Sequence, residues 1–270
     1  YKKKLSDIYE NHLIVYAGKA NLTIGLLNIL HEEGFGVDVV SGGELFTALK
    51  SNMDPQNIVF HGNNKSLEEL QYCIDHNIRI VVDNEQEIEN LKILTQNTKK
   101  SVRLLLRLKP EIEAHTHEYI KTGQIDSKFG IDKEDIIRII KEVSQIGHFD
   151  ILGLHSHIGS QIFDVVPYED LVDLMVNHTK RIKDEVGIEL KELNLGGGLG
   201  MQYTSEDDPP EVKSFLNRLI TRLTKSFSES GLSLPKIILE PGRSIVGNAG
   251  VTIYSVGTLK TIPNIKNYIF

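Results

Sequence analysis

Lys19 is the first residue of this sequence that could do covalent chemistry. It lies in the segment Tyr16–Asn21, directly after an apolar run that is typical of a β-strand. A partly buried lysine has a lowered pKa and can condense with an aldehyde to form a Schiff base. The alternative is an exposed lysine at a strand end, which is the more common role of a single lysine. The polar residues expected beside Lys19 favour the Schiff base.

A carboxylate and a guanidinium follow the last predicted barrel strand, in the segment Glu240–Arg243. A carboxylate at a strand end can hydrogen-bond a protonated ring nitrogen and so make a heterocyclic cofactor a strong electron acceptor. An ion pair between Glu240 and Arg243 on the solvent side is the alternative.

Three consecutive glycines, Gly196–Gly198, follow another apolar run. Glycines at this place allow backbone N–H groups to approach a phosphate closely. The spacing argues against a dinucleotide-binding fingerprint, because that pattern needs glycine or alanine at the position of Met201. A glycine turn without a ligand is the remaining alternative.

His155 and His157 lie two residues apart in a predicted strand, which would place them on the same face. Two such histidines could bind a metal, but no third ligand is evident from the spacing, so we predict no metal. His157 is better suited to stack on a flat cofactor ring, with Ser160 within reach of a phosphate. Three polar residues of a long predicted loop are expected to line a substrate or solvent surface: His115, His117 and Glu118.

The predicted elements alternate short β-rich runs with amphipathic helical runs, which is typical of a (β/α)8 TIM barrel. The eight predicted strands are Leu13–Ala17, Gly36–Val40, Asn57–Phe60, Ile78–Val82, Val102–Leu108, Ile151–His157, Glu189–Leu195 and Ile237–Leu239. The seven predicted helices are Leu22–Glu33, Leu45–Ser51, Ser66–Asp75, Glu85–Leu94, Lys133–Ile146, Tyr168–Glu185 and Pro210–Ser230. The repeat is too irregular for a solenoid.

The carboxyl ends of the strands are where such a barrel places its chemistry. The residues expected there are Lys19, Asp38, His61, Asp83, Arg107, His157, Gly196–Gly198 and Glu240. Since these groups meet at one mouth, they predict a site for an anionic cofactor. We place the barrel at residues 1–245. The run Val251–Ile262 predicts β structure, so we expect residues 246–270 to begin a C-terminal, mostly-β domain that is otherwise absent.

The composition argues against several classes of function. The chain has 270 residues, a net charge of −7, 40% hydrophobic and 25% charged residues, and this profile is typical of a globular protein that binds neither nucleic acid nor anionic membranes. Its single cysteine, Cys73, lies in a predicted helix and is expected to be a buried structural thiol. This usage, and the lack of a signal peptide or an apolar run of about 18 residues, predict a cytoplasmic protein.

Eight or more motifs, in order along nearly the whole chain, resemble the alanine-racemase-like decarboxylases that use pyridoxal 5'-phosphate. These motifs are YAGKAN, GFGVDVVSGGEL, HGNNKS, LRLKP, HEYIKTG, SKFG, GLHSHIGSQ, LNLGGGLG and EPGR. The resemblance implies that Lys19 holds the cofactor as a Schiff base, that His157 stacks on its ring and that Glu240 pairs with the ring nitrogen. It assigns the phosphate to Ser160, Gly197, Gly198, Pro241, Gly242 and Arg243.

The resemblance further implies that Arg107 and Asp38 support the lysine and the cofactor, and that Arg243 also meets the substrate. The wording of HEYIKTG, SKFG and HSHIGSQ favours the members that convert meso-diaminopimelate to L-lysine and CO2 in lysine biosynthesis. Ornithine, arginine or carboxynorspermidine as substrate is the first alternative. A non-catalytic regulatory protein that binds pyridoxal phosphate is the second. Members of the family form homodimers whose sites use both subunits, so a homodimer is expected of the full-length protein.

Overall fold

The computed structural model describes residues 1–98, 100–112 and 127–270. Eight parallel strands form a closed barrel in chain order, and β1 closes the ring by pairing with β8. The strands are β1 His12–Ala17, β2 Gly36–Val39, β3 Ile58–Phe60, β4 Arg79–Val82, β5 Val102–Arg107, β6 Phe149–His155, β7 Glu192–Asn194 and β8 Lys236–Leu239. The predicted (β/α)8 barrel is therefore confirmed, and each predicted strand has its counterpart.

Helices cover the outside of the barrel and alternate with its strands. They are α1 Lys2–Ser6, α2 Ile24–Glu32, α3 Gly42–Lys50, α4 Leu67–Asp75, α5 Glu85–Thr95, α6 Ile136–Val143, α7 Val166–Val186, α8 Val212–Glu229 and α9 Arg243–Val246. Side-chain hydrogen bonds cap the first turns of several of these helices. The hydroxyl of Ser41 accepts the N–H of Glu44, so α3 begins three residues before the predicted Leu45. Ser66 and Glu69 form a capping box at the start of α4.

The strands are buried on both faces, as parallel strands covered by helices must be. One cluster of apolar side chains packs between the sheet and the helices, and it includes Cys73, which is fully buried as predicted. A smaller cluster is drawn from six of the strands, as expected of the layered interior of such a barrel. Its members are Leu13, Val15, Val59, Val81, Leu105, Leu152 and Ile238.

A buried ion pair lies at the amino-terminal end of the barrel strands. Arg79 begins β4 and Glu192 begins β7, and the Nη2–Oε1 distance between them is 2.9 Å. Both residues are almost fully buried, so their charges neutralise each other inside the barrel. The polar groups of the predicted site lie at the opposite, carboxyl-terminal end of the strands.

The segment after the barrel differs from its prediction. The run Val251–Ile262 was expected to be β structure throughout, but residues 251–258 contain no strand and β9 spans only Leu259–Ile262. β9 pairs with β10, Lys266–Ile269, in an antiparallel hairpin. The apolar side chains of residues 251–258 are largely exposed. Among the described residues, no second sheet packs against this alternating apolar run. Among the described residues, no helix has the length and apolar character needed to cross a membrane.

Candidate active site

A cavity of about 670 Å³ opens at the carboxyl ends of the barrel strands. Most of the predicted site residues line it: Lys19, Asp38, His157, Ser160, Gly197, Gly198, Glu240, Gly242 and Arg243. Arg107 and Pro241 are not among the lining residues. Six of these nine residues were expected from the rule that strand ends hold the chemistry, and Ser160, Gly242 and Arg243 were expected from the family resemblance.

Lys19 follows β1 in a short 3-10 turn, Gly18–Ala20. Its side chain is exposed at the cavity, whereas the sequence predicted partial burial. The prediction of burial was wrong because the turn carries the lysine past the end of the strand. The amine nevertheless acts electrostatically on Asp38 and His157, so these groups surround the position at which an aldehyde would meet Lys19.

Glu240 is a buried carboxylate that three side chains hold in place. Its Oε1 lies 2.7 Å from Nε2 of His61 and accepts a 2.7 Å hydrogen bond from Asn194. Its Oε2 lies 3.3 Å from Nε2 of His155. Burial by itself would raise the pKa of Glu240, but the neighbouring His61 and His155 hold it well below its usual range. Glu240 is therefore an anion at the wall of the cavity, and the alternative of an ion pair with Arg243 on the solvent side does not describe it.

Asp38 is the second buried acid, on β2 beside Glu240. Burial raises its pKa to about 6, although His61 acts in the opposite direction. Its Oδ1 is buried without a hydrogen-bond partner among the described residues. A buried oxygen of this kind at the wall of a cavity is suited to a ligand's polar atom, since an unsatisfied buried acceptor is costly.

His157 and His155 have different surroundings, because β6 ends at His155 and His157 lies in the loop that follows. The prediction that both lie on one strand was wrong. His155 contacts Glu240 inside the barrel, whereas His157 lines the cavity and its Nδ1 lies 3.4 Å from the backbone nitrogen of Gly197. Burial, followed by the charge of Lys19, lowers the pKa of His157 well below its usual value. His157 therefore presents a neutral aromatic ring.

His155 lies beside His61 and Glu240, two neighbours that the sequence spacing did not reveal. Among the described residues, the ligand atoms of His61, His155 and Glu240 lie within 4.8 Å of one another and could hold a metal ion. The sequence spacing showed no third ligand because His61, His155 and Glu240 follow or end three different strands. The argument from spacing against a metal was therefore wrong, although the arrangement alone does not show that a metal binds. In this structure the same atoms contact each other directly.

Arg243 places a positive charge in the cavity wall beside Ser160. It begins α9, and its Nε donates to Ser160 Oγ at 3.2 Å while its Nη1 donates to Tyr203 Oη at 2.9 Å. Tyr203 also lines the cavity and was missed by the sequence, since it lies in an irregular loop without a motif. The guanidinium and the serine hydroxyl are typical phosphate ligands.

The glycine run has a structural requirement of its own. A Cβ on Gly197 would lie 1.9 Å from the carbonyl oxygen of Glu240, and Gly198 has φ +102° and would bring a Cβ 2.2 Å from Gly159 O. Only glycine allows the loops after β6, β7 and β8 to approach this closely. The approach brings Gly197 and Gly198 into the cavity wall together with Ser160 and Arg243.

Arg107 supports the site from outside the cavity. At the end of β5 its guanidinium lies 3.3 Å from Asp83 Oδ1 and 4.5 Å from the ring centre of Phe129, in the motif SKFG. Its charge acts on His157 and Glu240 without reaching the cavity wall. The motif HEYIKTG, with the loop residues predicted to line a surface (His115, His117 and Glu118), lies outside the described residues.

The arrangement fits pyridoxal phosphate in each of its parts. The amine of Lys19 suits the aldehyde, the anion of Glu240 suits a protonated ring nitrogen, and the neutral ring of His157 suits a stacking partner. Arg243, Ser160 and the glycine backbone suit the phosphate. The buried Oδ1 of Asp38, which accepts no hydrogen bond from the described residues, is a further acceptor beside the amine.

The chain is similar to known proteins over most of its length. Residues 1–247 match the sequence model of the family described as pyridoxal-dependent decarboxylase, pyridoxal binding domain. Diaminopimelate decarboxylase of Bacillus subtilis is 43% identical over 95% of this chain and 59% of its own length. The enzyme of the same name from Synechocystis is 44% identical over 95% of this chain and 56% of its own length. The chain thus spans less than three fifths of these relatives.

Solved structures agree with this assignment. The crystal structure of diaminopimelate decarboxylase from M. jannaschii in complex with L-lysine superposes with a TM-score of 0.86 at 32% identity, over 99% of this chain and 63% of that one. The enzyme of that name from Helicobacter pylori, also in complex with L-lysine, superposes with a TM-score of 0.84 at 29% identity, over 99% of this chain and 67% of that one. Together with the cavity and its residues, these matches show that the chain belongs to the pyridoxal-dependent decarboxylases and contains the pyridoxal binding domain of that family.

Proposed function

We propose that the full-length polypeptide decarboxylates meso-diaminopimelate to L-lysine and CO2, with pyridoxal 5'-phosphate held by Lys19. The observation that carries the proposal is the cavity that combines an amine, a buried anionic carboxylate and a phosphate-binding arginine. The names of the Bacillus subtilis and Synechocystis relatives, and the L-lysine in the structure of the M. jannaschii enzyme, support the choice of substrate.

Pyridoxal phosphate, when bound, supplies a protonated ring that accepts the electrons released as the substrate carboxylate leaves as CO2. Glu240 would keep the proton on the ring nitrogen, because it is a buried anion whose position is fixed by hydrogen bonds. His157 would cover one face of the ring and keep water away from it.

The remaining residues would hold and orient the cofactor. Arg243 and Ser160, with the backbone of Gly197, Gly198 and the segment Pro241–Gly242, would bind the phosphate. Asp38 would accept a proton or a hydrogen bond beside the amine of Lys19. Arg107, which is paired with Asp83, would support the lysine and the cofactor from outside the cavity wall. Arg243 would also meet the substrate, since it lines the same cavity as Lys19.

We also propose that residues 1–245 are one barrel domain and that residues 246–270 begin a β domain of the full-length protein. The exposed apolar side chains Val251, Ile253 and Tyr254, each more than 85% accessible, support this because they need a covering surface. A homodimer and a cytoplasmic location belong to the same proposal. Light scattering and cell fractionation of the full-length protein test these two points, and a monomer or a membrane-associated protein would contradict them.

The experiment that tests the function is CO2 release by the full-length polypeptide with pyridoxal phosphate. meso-Diaminopimelate, ornithine and arginine are offered separately, and Lys19→Ala is the control. We expect CO2 and L-lysine from diaminopimelate alone. Release from ornithine or arginine instead would keep the chemistry and overturn the substrate. No release from any of the three would favour a regulatory protein that binds the cofactor.

A further inference from the structure

His61 is a buried histidine that contacts Glu240 and does not line the cavity. It follows β3 directly and is 6% exposed. Its backbone N–H donates to the carbonyl of Val39 at 2.8 Å, and its ring meets the ring of His155 edge-on at 4.6 Å. These contacts fix the position of the imidazole between β2, β6 and β8.

One nitrogen of this imidazole faces both buried acids of the site. Nε2 lies 2.7 Å from Oε1 of Glu240 and 3.8 Å from Oδ1 of Asp38. An ionised carboxylate accepts hydrogen bonds and cannot donate them, so Nε2 must carry the proton in this contact. His61 is therefore the hydrogen-bond donor that stands between two carboxyl groups.

The other charged groups around Glu240 cannot replace this donor. Arg107 is paired with Asp83, and Lys19 is at the mouth of the cavity beside Asp38. The remaining partners of Glu240 are the amide of Asn194 and the longer contact to His155. Without His61, Glu240 and Asp38 would face each other with one donor fewer between them, and the charge of each acid would favour protonation of the other.

We propose that His61 is a positioning residue that keeps Glu240 ionised and oriented toward the ring nitrogen of the bound cofactor. This inference rests on the proposed function, in which Glu240 pairs with that nitrogen. His61 itself touches neither substrate nor cofactor, because it lies behind Glu240 and is not part of the cavity wall.

The test is the protonation state of the ring nitrogen in the holoenzyme. Full-length protein is loaded with 15N-labelled pyridoxal phosphate, and the nitrogen chemical shift is followed against pH by NMR. We expect the ring nitrogen to be protonated in the wild type. In His61→Leu we expect it to lose its proton at a lower pH than in the wild type. His61→Gln keeps an N–H near the position of Nε2 and should restore most of the wild-type profile. His178→Gln is the matched control, since His178 is also buried but lies on α7, where it bonds Leu174 O.

The decarboxylation rate of His61→Leu should fall by about 10-fold to 150-fold, the range for one hydrogen bond to a charged group. A His61→Leu holoenzyme with the wild-type nitrogen profile would overturn the inference. Glu240→Gln separates the two levels of the argument. If Glu240→Gln also leaves the profile unchanged, the proposed role of Glu240 fails. If only His61→Leu does so, the role of His61 fails and that of Glu240 stands.

A second measurement applies if His61→Leu does not retain the cofactor. The side-chain carboxyl of Glu240 is titrated by 13C NMR in the full-length apoprotein, and its signal is assigned with Glu240→Gln. We expect the carboxyl to titrate at higher pH in His61→Leu than in the wild type and in His178→Gln. Equal titration in all three proteins would overturn the inference.

Discussion

Lys65→Met should destabilise the barrel by about 3–5 kcal/mol, the cost of leaving one partner of a buried ion pair alone. The Nζ of Lys65 lies 2.5 Å from Oε1 of Glu87, and the two side chains are 1% and 3% exposed. The same ammonium donates to the carbonyls of Gly62 and Val81, both at 2.7 Å. Burial already raises the pKa of Glu87, so the loss of Lys65 leaves a carboxylate that must be protonated or hydrated inside the protein.

The consequence should extend to the site. Oε2 of Glu87 accepts the backbone N–H of Asp83 at 2.7 Å, and the side chain of Asp83 holds Arg107. We therefore expect Lys65→Met to weaken cofactor binding as well as folding, although Lys65 does not line the cavity.

The assay is urea unfolding of the full-length polypeptide, followed by far-ultraviolet circular dichroism. Lys100→Met is the matched control, because Lys100 forms an ion pair with Asp75 at 2.7 Å that is 49% and 42% exposed. An exposed pair contributes about 0–1 kcal/mol. The double variant Lys65→Met, Glu87→Leu should regain the part of the loss that comes from the unpaired carboxylate, but not the part that comes from the backbone groups of Gly62, Val81 and Asp83. Equal losses in Lys65→Met and Lys100→Met would refute the reasoning, since burial is the main difference between the two pairs.

Three further predictions concern the cavity. Gly197→Ala should destabilise the full-length protein by about 1–3 kcal/mol in urea unfolding, because the new Cβ would meet a backbone carbonyl. The control is Gly147→Ala, whose Cβ would have no atom within 4 Å and which should cost under about 0.5 kcal/mol. Arg243→Lys should weaken pyridoxal phosphate binding about 10-fold or more in a fluorescence titration, since lysine cannot keep both hydroxyl contacts; unchanged affinity would contradict its role. The pKa of Asp38 is raised to about 6 by burial, so this group makes the apoprotein less stable as the pH rises from about 4 to 6. Asp38→Asn should remove that slope, and an unchanged slope would contradict the account.

The fold could be predicted because barrel strands and helices differ in length and period. Each strand prediction was within a few residues, and the main errors concern ends. α6 begins at Ile136 rather than Lys133, and β7 begins at Glu192 rather than Glu189. Such ends depend on hydrogen bonds between neighbouring elements, which a single sequence does not contain. The run Val251–Ile262 alternates like a strand, but alternation becomes a strand only where a partner strand is present.

The site was predicted in its residue types and missed in its pairings. The strand-end rule placed Lys19, His157 and Glu240 at one mouth, and the cavity contains all three. The rule could not say that His61 pairs with Glu240 across 179 positions of sequence, because that contact follows from the closure of the barrel. His61 was nonetheless among the residues expected at the strand ends, so its place after a predicted strand indicated that it lies near the site.

The most direct test of the central claim is borohydride reduction of the full-length holoenzyme, followed by peptide mapping. Reduction makes the bond between a lysine and pyridoxal phosphate permanent. We predict one adduct, on Lys19, and none on the buried Lys65. An adduct on another lysine, or none although the cofactor is bound, would contradict the claim that Lys19 carries the cofactor.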